Sequence, residues 1–373
     1  MRRIQLSTIE KDLNKKMVLL AGPRQVGKTF LSKQLIEKFK HSLYLSYDQV
    51  QDRAMIHAQN WLNTTELLVL DELHKMPDWK NYLKGLYDTK LPGLRVLITG
   101  SARLEIFDKV GDSLAGRYFL HRLLPLSPAE LHQLKHPISL DHLLNQGGFP
   151  EPFLAEDNIE ANRWRLQYIN SLLTTDVFDV DSIHNIQALR TLFELLRSRV
   201  GSPLSYQSLS EDLGVSPSTV KKYVAILEAL YVIFRVTPFS NNIARSLIKE
   251  PKIYFFDTGL VKGDAGARLE NMVAVCLLKQ VYAKVDLLGE SYRLHYLRTK
   301  EGQEVDFALV KDDTIEQMIE VKYSDGDISR SLYTFRKKYG FDAVQLVKEL
   351  RLERQVDGIT VRKAEAFLAE LFL

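Results

Sequence analysis

Residues 17–36 leave the first part of this chain little freedom in how it folds. Met17-Val18-Leu19-Leu20-Ala21 is a continuous apolar run of the length a buried parallel strand needs. It leads directly into Gly22-Pro23-Arg24-Gln25-Val26-Gly27-Lys28-Thr29, which fills every fixed position of the pattern G-x-x-x-x-G-K-[ST]. Phe30, Leu31, Leu35, Ile36 and Phe39 then return at helical spacing. In the order strand, glycine loop, helix, backbone N–H groups wrap a phosphate chain and the helix N-terminus adds positive potential. Gly22, Pro23, Arg24, Gln25, Val26, Gly27, Lys28 and Thr29 are therefore the candidate ATP-binding segment. Lys28 would neutralise the β- and γ-phosphates, and the Thr29 hydroxyl would ligate Mg²⁺.

A second signal is independent of the first. Leu67-Leu68-Val69-Leu70 ends in Asp71-Glu72, which places two carboxylates at the C-terminal edge of a sheet, where open α/β sheets bind ligand. Asp71 suits Mg²⁺ coordination through water, and Glu72 suits orienting or deprotonating an attacking water. A further strand, Arg95 to Thr99, ends in Gly100-Ser101, where Ser101 either senses the γ-phosphate or caps the next helix. Leu43 to Ser46 and Tyr118 to Leu120 read as two more strands of the same sheet. Arg117 is the best-placed arginine for a charge-stabilising finger, in cis or from a neighbouring subunit, and equally reads as a surface arginine.

Composition narrows the rest. The length of 373 residues predicts two or three domains, and 45% hydrophobic residues exclude a disordered chain. A single cysteine, Cys276, excludes an internal disulfide and argues against structural zinc. No window approaches a membrane span and no signal-peptide apolar core follows Arg2-Arg3, so a cytoplasmic protein without membrane partners is expected. The net charge of +3 means that any nucleic-acid contact must come from a local patch.

The loop Gly22 to Thr29, Asp71-Glu72, Thr99-Gly100-Ser101, Gly116-Arg117, Pro125-Leu126-Ser127 and Gly147-Gly148-Phe149-Pro150 together resemble the AAA-type ATPases of bacteria and archaea. In particular they resemble the family whose C-terminal half is a domain of unknown function. The resemblance implies an ATPase core with the sheet order of the AAA superfamily.

Residues from about 140 to 199 are helical by periodicity, through Trp164, Leu166, Ile169, Leu172 and Leu173, and again through Leu189, Leu192, Phe193, Leu195 and Leu196. They suit a helical lid after an AAA core, with Asp176 and Asp179 as turn or capping carboxylates. Residues 204–230 hold two helices around Gly214, the second started by Ser216 and Pro217, which is a helix-turn-helix arrangement. Tyr231 to Val236 is expected as the hairpin of a winged helix. In DNA reading, Ser218, Thr219, Lys221 and Lys222 would face the groove or the phosphates; the same module also serves packing or dimerisation.

In the last third, Ile253 to Phe256 reads as a strand, followed by a long helix that carries Glu270. Asp306 then opens one strand and Glu320-x-Lys322 sits on the next. Two carboxylates from adjacent strands can share Mg²⁺ while the lysine orients the attacking water, with Glu270 as a further metal ligand. The pattern looks like the PD-(D/E)xK nuclease-like superfamily, although Glu-x-Lys also occurs as a cross-strand ion pair and the fold also serves proteins that never cut.

The expected fold is α/β: a P-loop AAA-type three-layer αβα core (1–135), a helical lid or connector (136–200), a winged helix-turn-helix (201–250) and a restriction-endonuclease-like α/β domain (251–373). The expected function is Mg-dependent ATP hydrolysis coupled to a DNA-directed nuclease-like domain, with DNA and a second copy of the chain as partners. The alternative is an ATP-responsive DNA- or protein-binding regulator without nuclease activity. Catalytic roles fall to Lys28, Glu72, Ser101, Arg117, Asp306, Glu320 and Lys322, and metal-ligand roles to Thr29, Asp71, Glu270, Asp306 and Glu320.

Overall fold

Short apolar segments that cannot be left in water build the first sheet. A computed structural model describes residues 3–100, 114–137, 139–177, 185–240, 250–299 and 301–373. Ser101 and Asp179, and the side chain of Asp176, lie outside what it describes. Strands β1 (Met17–Ala21), β2 (Ser42–Ser46), β3 (Leu67–Asp71), β4 (Arg95–Thr99) and β5 (Tyr118–Arg122) pair in parallel in the order β2-β3-β4-β1-β5. β1 and β3 are buried at every position, as expected for strands covered on both faces. Because all five strands run the same way, the loops leaving β1 and β3 emerge at one edge, and that edge carries the phosphate loop and Asp71-Glu72.

Two compact units make up the chain: Met1–Leu124 with Ala229–Tyr231, and Pro125–Glu228 with Val232–Leu373. The first ends at Leu124, and the segment that follows is held within the second. There the Leu126 amide donates to the Gly148 carbonyl (2.6 Å), and the Lys279 ammonium donates to the Pro125 carbonyl (3.0 Å) and pairs with Glu130 (2.5 Å).

The second unit begins with helices, among them Leu140–Gln146, Asn158–Ser171 and Ile186–Arg197. Helices Tyr206–Leu213 and Pro217–Ala229 follow around Gly214, which ends the first of them in the left-handed region (φ 62°). The Ser216 hydroxyl accepts from the Thr219 amide at 3.1 Å and caps the second. An eight-stranded sheet completes the unit, in the order β12-β13-β11-β10-β9-β8-β6-β7. Its strands are β6 (Ile233–Pro238), β7 (Lys252–Phe255), β8 (Tyr292–Arg298), β9 (Glu304–Lys311), β10 (Thr314–Ser324), β11 (Asp342–Glu349), β12 (Arg354–Val356) and β13 (Ile359–Lys363).

One expected boundary is corrected here. β6 pairs antiparallel with β7 through Ile233 to Val236, and parallel with β8 at Thr237 and Pro238. The strand expected to open a separate C-terminal domain is therefore the hairpin partner of β6, and no break falls at residue 250. Both strands offer apolar faces that neither could bury alone.

Among the described residues, no helix is long and apolar enough to cross a membrane.

Candidate functional site

The phosphate loop is shaped by backbone that only certain residues tolerate. Gly22 has φ 147°, and a Cβ there would lie 2.1 Å from the Leu123 carbonyl oxygen, so the loop can leave β1 only through glycine. Gly27 (φ 103°) turns the chain into helix Lys28–Ile36. Arg3, itself buried, braces the loop from behind through the Val26 carbonyl (2.8 Å) and also bonds the Leu124 carbonyl. The sequence reading passed over Arg3, and a basic residue near the start of a chain carries no local signal of burial.

Lys28 is 6% exposed, and its ammonium donates to the Gly22 (2.8 Å) and Pro23 (2.7 Å) carbonyls. Burial pushes its pKa down to about 8, opposed by the charges of Glu72 and Asp71. Phosphate prefers the ammonium form, so nucleotide binding must draw in a proton once the free lysine has begun to lose its own. ATP affinity is expected to hold below pH 8 and to fall above it, approaching tenfold per pH unit up to about pH 10.4. Equilibrium binding of a fluorescent ATP analogue across that range checks this, and an affinity independent of pH would refute it.

Asp71, at the end of β3, accepts hydrogen bonds from the Tyr44 hydroxyl and from Thr99 Oγ1. Tyr44 also bonds Thr29, which joins β2, β3, β4 and the phosphate loop in one polar network. Burial and the Asp71 carboxylate both raise the Tyr44 pKa, so its proton stays on the hydroxyl. Tyr44 and Thr99 carry no local signal of this role, because each sits inside an apolar strand pattern.

Glu72 adopts the left-handed region (φ 55°), a conformation that costs a non-glycine residue energy and recurs at functional sites. Its Oε2 is buried without a hydrogen bond, 3.6 Å from His74 Nδ1. Burial raises its pKa, opposed by Lys28. A strained, desolvated carboxylate beside a buried cation suits proton transfer from water. The positive-φ glycines, the helix N-terminus, Lys28 and this unpartnered oxygen all fit a magnesium-bound nucleotide.

Arg117 does not join this edge. It precedes β5, and its carbonyl accepts from the amide of Met17, the first residue of β1, so it lies at the end of the sheet opposite the phosphate loop. Its guanidinium pairs with Asp88 (3.0 and 3.2 Å). A five-residue strand spans about 17 Å, so a finger acting in cis is corrected.

In the second unit the structure gathers a second cluster. Glu270, from helix Ala265–Leu288, accepts from the Tyr254 hydroxyl (2.7 Å), and a Cβ on Gly201 would lie 2.7 Å from its carboxylate. Asp306, on β9, accepts from the Val321 amide (2.9 Å), and Glu320 and Lys322, on β10, pair with each other (2.8 Å). Burial and the Asp306 charge hold the Glu270 and Glu320 carboxyls above their ordinary range. The sequence reading missed the group at the centre: Lys252, buried at the start of β7, is 2.7 Å from Glu304 and 3.5 Å from both Glu270 and Asp306. A lone lysine opening the strand Lys252-Ile253-Tyr254-Phe255 was the available signal. Among the described residues, no three histidine, cysteine, aspartate or glutamate side chains converge closely enough to hold a metal ion.

On the helix-turn-helix, Ser218, Lys221 and Lys222 are exposed. The Ser216 hydroxyl lies 2.7 Å from that of Ser218 and 2.8 Å from that of Thr219, and Lys221 sits over the Tyr206 ring.

Comparison with known proteins divides the chain into three parts. Residues 14–132 match the family described as AAA domain, residues 138–268 the domain of unknown function DUF8612, and residues 265–365 the domain of unknown function DUF4143. The carboxylate cluster straddles the last two, with Lys252 and Tyr254 from one and Glu270, Asp306, Glu320 and Lys322 from the other. An uncharacterized protein of Mycobacterium tuberculosis is 30% identical over 66% of this chain and 55% of its own length. The chain thus spans about half the length of that relative. An uncharacterized protein of Methanocaldococcus jannaschii is 24% identical over 92% of this chain and 83% of its own. Among solved structures, the Walker-type ATPase PABY2304 of Pyrococcus abyssi aligns with 69% of this chain and 93% of its own at 13% identity and a TM-score of 0.40. The Holliday junction branch migration motor RuvB of Thermotoga maritima aligns with 66% of this chain and 93% of its own at 19% identity and a TM-score of 0.34.

Proposed function

We propose, from the AAA domain over residues 14–132 and the DUF4143 domain over residues 265–365, that this chain binds and hydrolyses Mg–ATP and that its nucleotide state governs engagement of DNA by the second unit. The observation that carries the first half is the meeting of Lys28, Asp71 and Glu72 at one edge of the first sheet. Bound Mg–ATP supplies the polyphosphate and its divalent charge. Thr29 and Asp71 would hold the metal, with Tyr44 and Thr99 fixing the Asp71 carboxylate. Lys28 leaves the Gly22 and Pro23 carbonyls to meet the phosphates, and Glu72 takes a proton from the attacking water. Ser101 keeps its proposed sensing role, and Arg117 a proposed role in trans within a homo-oligomer.

DNA is proposed as partner because the helix-turn-helix carries two exposed basic residues, Lys221 and Lys222, on its second helix. Cleavage by Asp306, Glu320 and Lys322 around Mg²⁺ would make the protein an ATP-coupled nuclease. The placement of Lys252 favours the second reading, a domain that binds without cutting.

Glu72→Gln provides the test, since it should retain ATP while turnover falls by about 10²–10⁴. DNA retention is measured for this variant with ATP, with ADP and without nucleotide, alongside incubation of the wild type with DNA and Mg²⁺ or Mn²⁺. Retention that differs between nucleotide states supports the reading; identical retention in all three sinks it. Metal-dependent scission lost in Asp306→Ala would establish the nuclease instead.

A further inference from the structure

The carboxylates of the second cluster already have a cation, and it belongs to the chain. Lys252 Nζ lies 2.7 Å from Glu304 Oε1 and 3.5 Å from Glu270 Oε1 and Asp306 Oδ1, within ion-pair distance of three carboxylates. Its side chain is 1% exposed, and the Tyr296 ring covers it with the centroid 5.4 Å from Nζ. Each of these carboxylates is further occupied from inside the protein, Glu270 by the Tyr254 hydroxyl, Asp306 by the Val321 amide and Glu304 by the Arg298 guanidinium (3.5 Å). Mg²⁺ demands oxygens at about 2.0–2.1 Å in a near-octahedral shell. Seated between Glu270 and Asp306, it would press a double charge against an ammonium that is 1% exposed and so poorly screened by solvent. Glu320 is the carboxylate with an oxygen still open, for its Oε2 is buried without a hydrogen bond, while Oε1 meets Lys322 and Ser329 also bonds the carboxyl. One open carboxylate does not enclose a hard cation.

We propose that Lys252 is a built-in counter-ion standing where a divalent cation would bridge Glu270 and Asp306, so that this cluster takes no catalytic metal. The inference rests on the reading of the second unit as a domain that binds without cutting, and it gives that reading its physical cause. Neither family match contains the whole arrangement, because Lys252 comes from residues 138–268 and Asp306 from residues 265–365.

Mn²⁺ is the probe, titrated into the full chain without nucleotide or DNA and followed by calorimetry and by the loss of its free electron-spin signal. Wild type should show no stoichiometric binding that depends on Asp306. Lys252→Met, which keeps the length of the side chain and removes its charge, should gain one Mn²⁺ per chain, tighter than wild type on the order of 100-fold or more. Adding Asp306→Asn to that variant should abolish the gain. A Mn²⁺ bound by the wild type and lost in Asp306→Asn overturns the proposal, as does a folded Lys252→Met that gains no metal. Should Lys252→Met fail to fold, the comparison of wild type with Asp306→Asn still decides the point. Because no DNA is present, nucleotide-independent DNA retention would sink the functional reading and leave this result standing.

Discussion

Replacing Lys28 by Ala is expected to abolish ATP turnover, with a loss of about 10³-fold or more, while leaving the protein folded and no less stable without nucleotide. The two halves of this expectation have one origin. Lys28 is a cation stored in a place where a cation is costly: 6% exposed, with a pKa pushed down to about 8. Relative to a free lysine near 10.4, that shift corresponds to a penalty of about 3 kcal/mol in the empty protein at neutral pH. Because the folded pKa is depressed, the penalty is present below pH 8 and fades as pH rises toward the unfolded value near about 10.4. The wild type should therefore gain stability across that window, and Lys28→Ala should not. Phosphate release measured beside thermal melting checks both parts. Turnover retained in the variant would remove the nucleotide assignment, and a variant that melts far below wild type would remove the account of the stored charge.

Asp257→Ala is expected to destabilise the second unit by about 3–5 kcal/mol. Asp257 and Arg165 form a buried pair at 2.7 Å, their side chains 1% and 7% exposed. The other Asp257 oxygen accepts from the Gly259 amide at 3.0 Å, and it lies 2.0 Å from where a Cβ on Gly147 would stand. The Gly147-Gly148-Phe149-Pro150 segment, visible in the sequence without an evident purpose, thus packs its first glycine against this pair. Removing the carboxylate leaves the guanidinium buried with the Asn162 side chain (3.1 Å) and the Asn145 carbonyl (3.3 Å), neither of which carries a charge. Urea denaturation followed by far-UV circular dichroism measures the loss. The double variant Arg165→Leu, Asp257→Leu should recover much of it, since the cost lies in the unpaired charge rather than in the absence of the pair. A single variant as stable as wild type would refute the account.

The first sheet was legible in advance because its signals are local. Strand, loop and helix around Gly22 to Thr29 lie consecutively in the chain, and Asp71-Glu72 closes a run of four apolar residues. Burial of such runs and the geometry of a parallel sheet bring these residues to one edge without further information. The helix-turn-helix was legible for the same reason, since Gly214, Ser216 and Pro217 act on their own neighbours. Asp306, Glu320 and Lys322 were legible by pattern, because strand alternation puts alternate residues on one face, and Glu270 by its place on the preceding helix.

What tertiary structure alone decided is which groups stand beside which. Thr99 and Tyr44 reach Asp71 only because β4 and β2 flank β3. Arg117 was drawn toward the phosphates by its type and its place in the chain, yet the strand direction of β5 sends it to the far end of the sheet. Lys252 enters the carboxylate cluster because β7 folds back on β6, a pairing that spans the expected boundary at residue 250. Periodicity reports which face a residue takes, and composition reports what it can do. Neither reports the partner that a distant strand supplies, and here that partner is the buried Lys252 ammonium set among Glu270, Glu304 and Asp306.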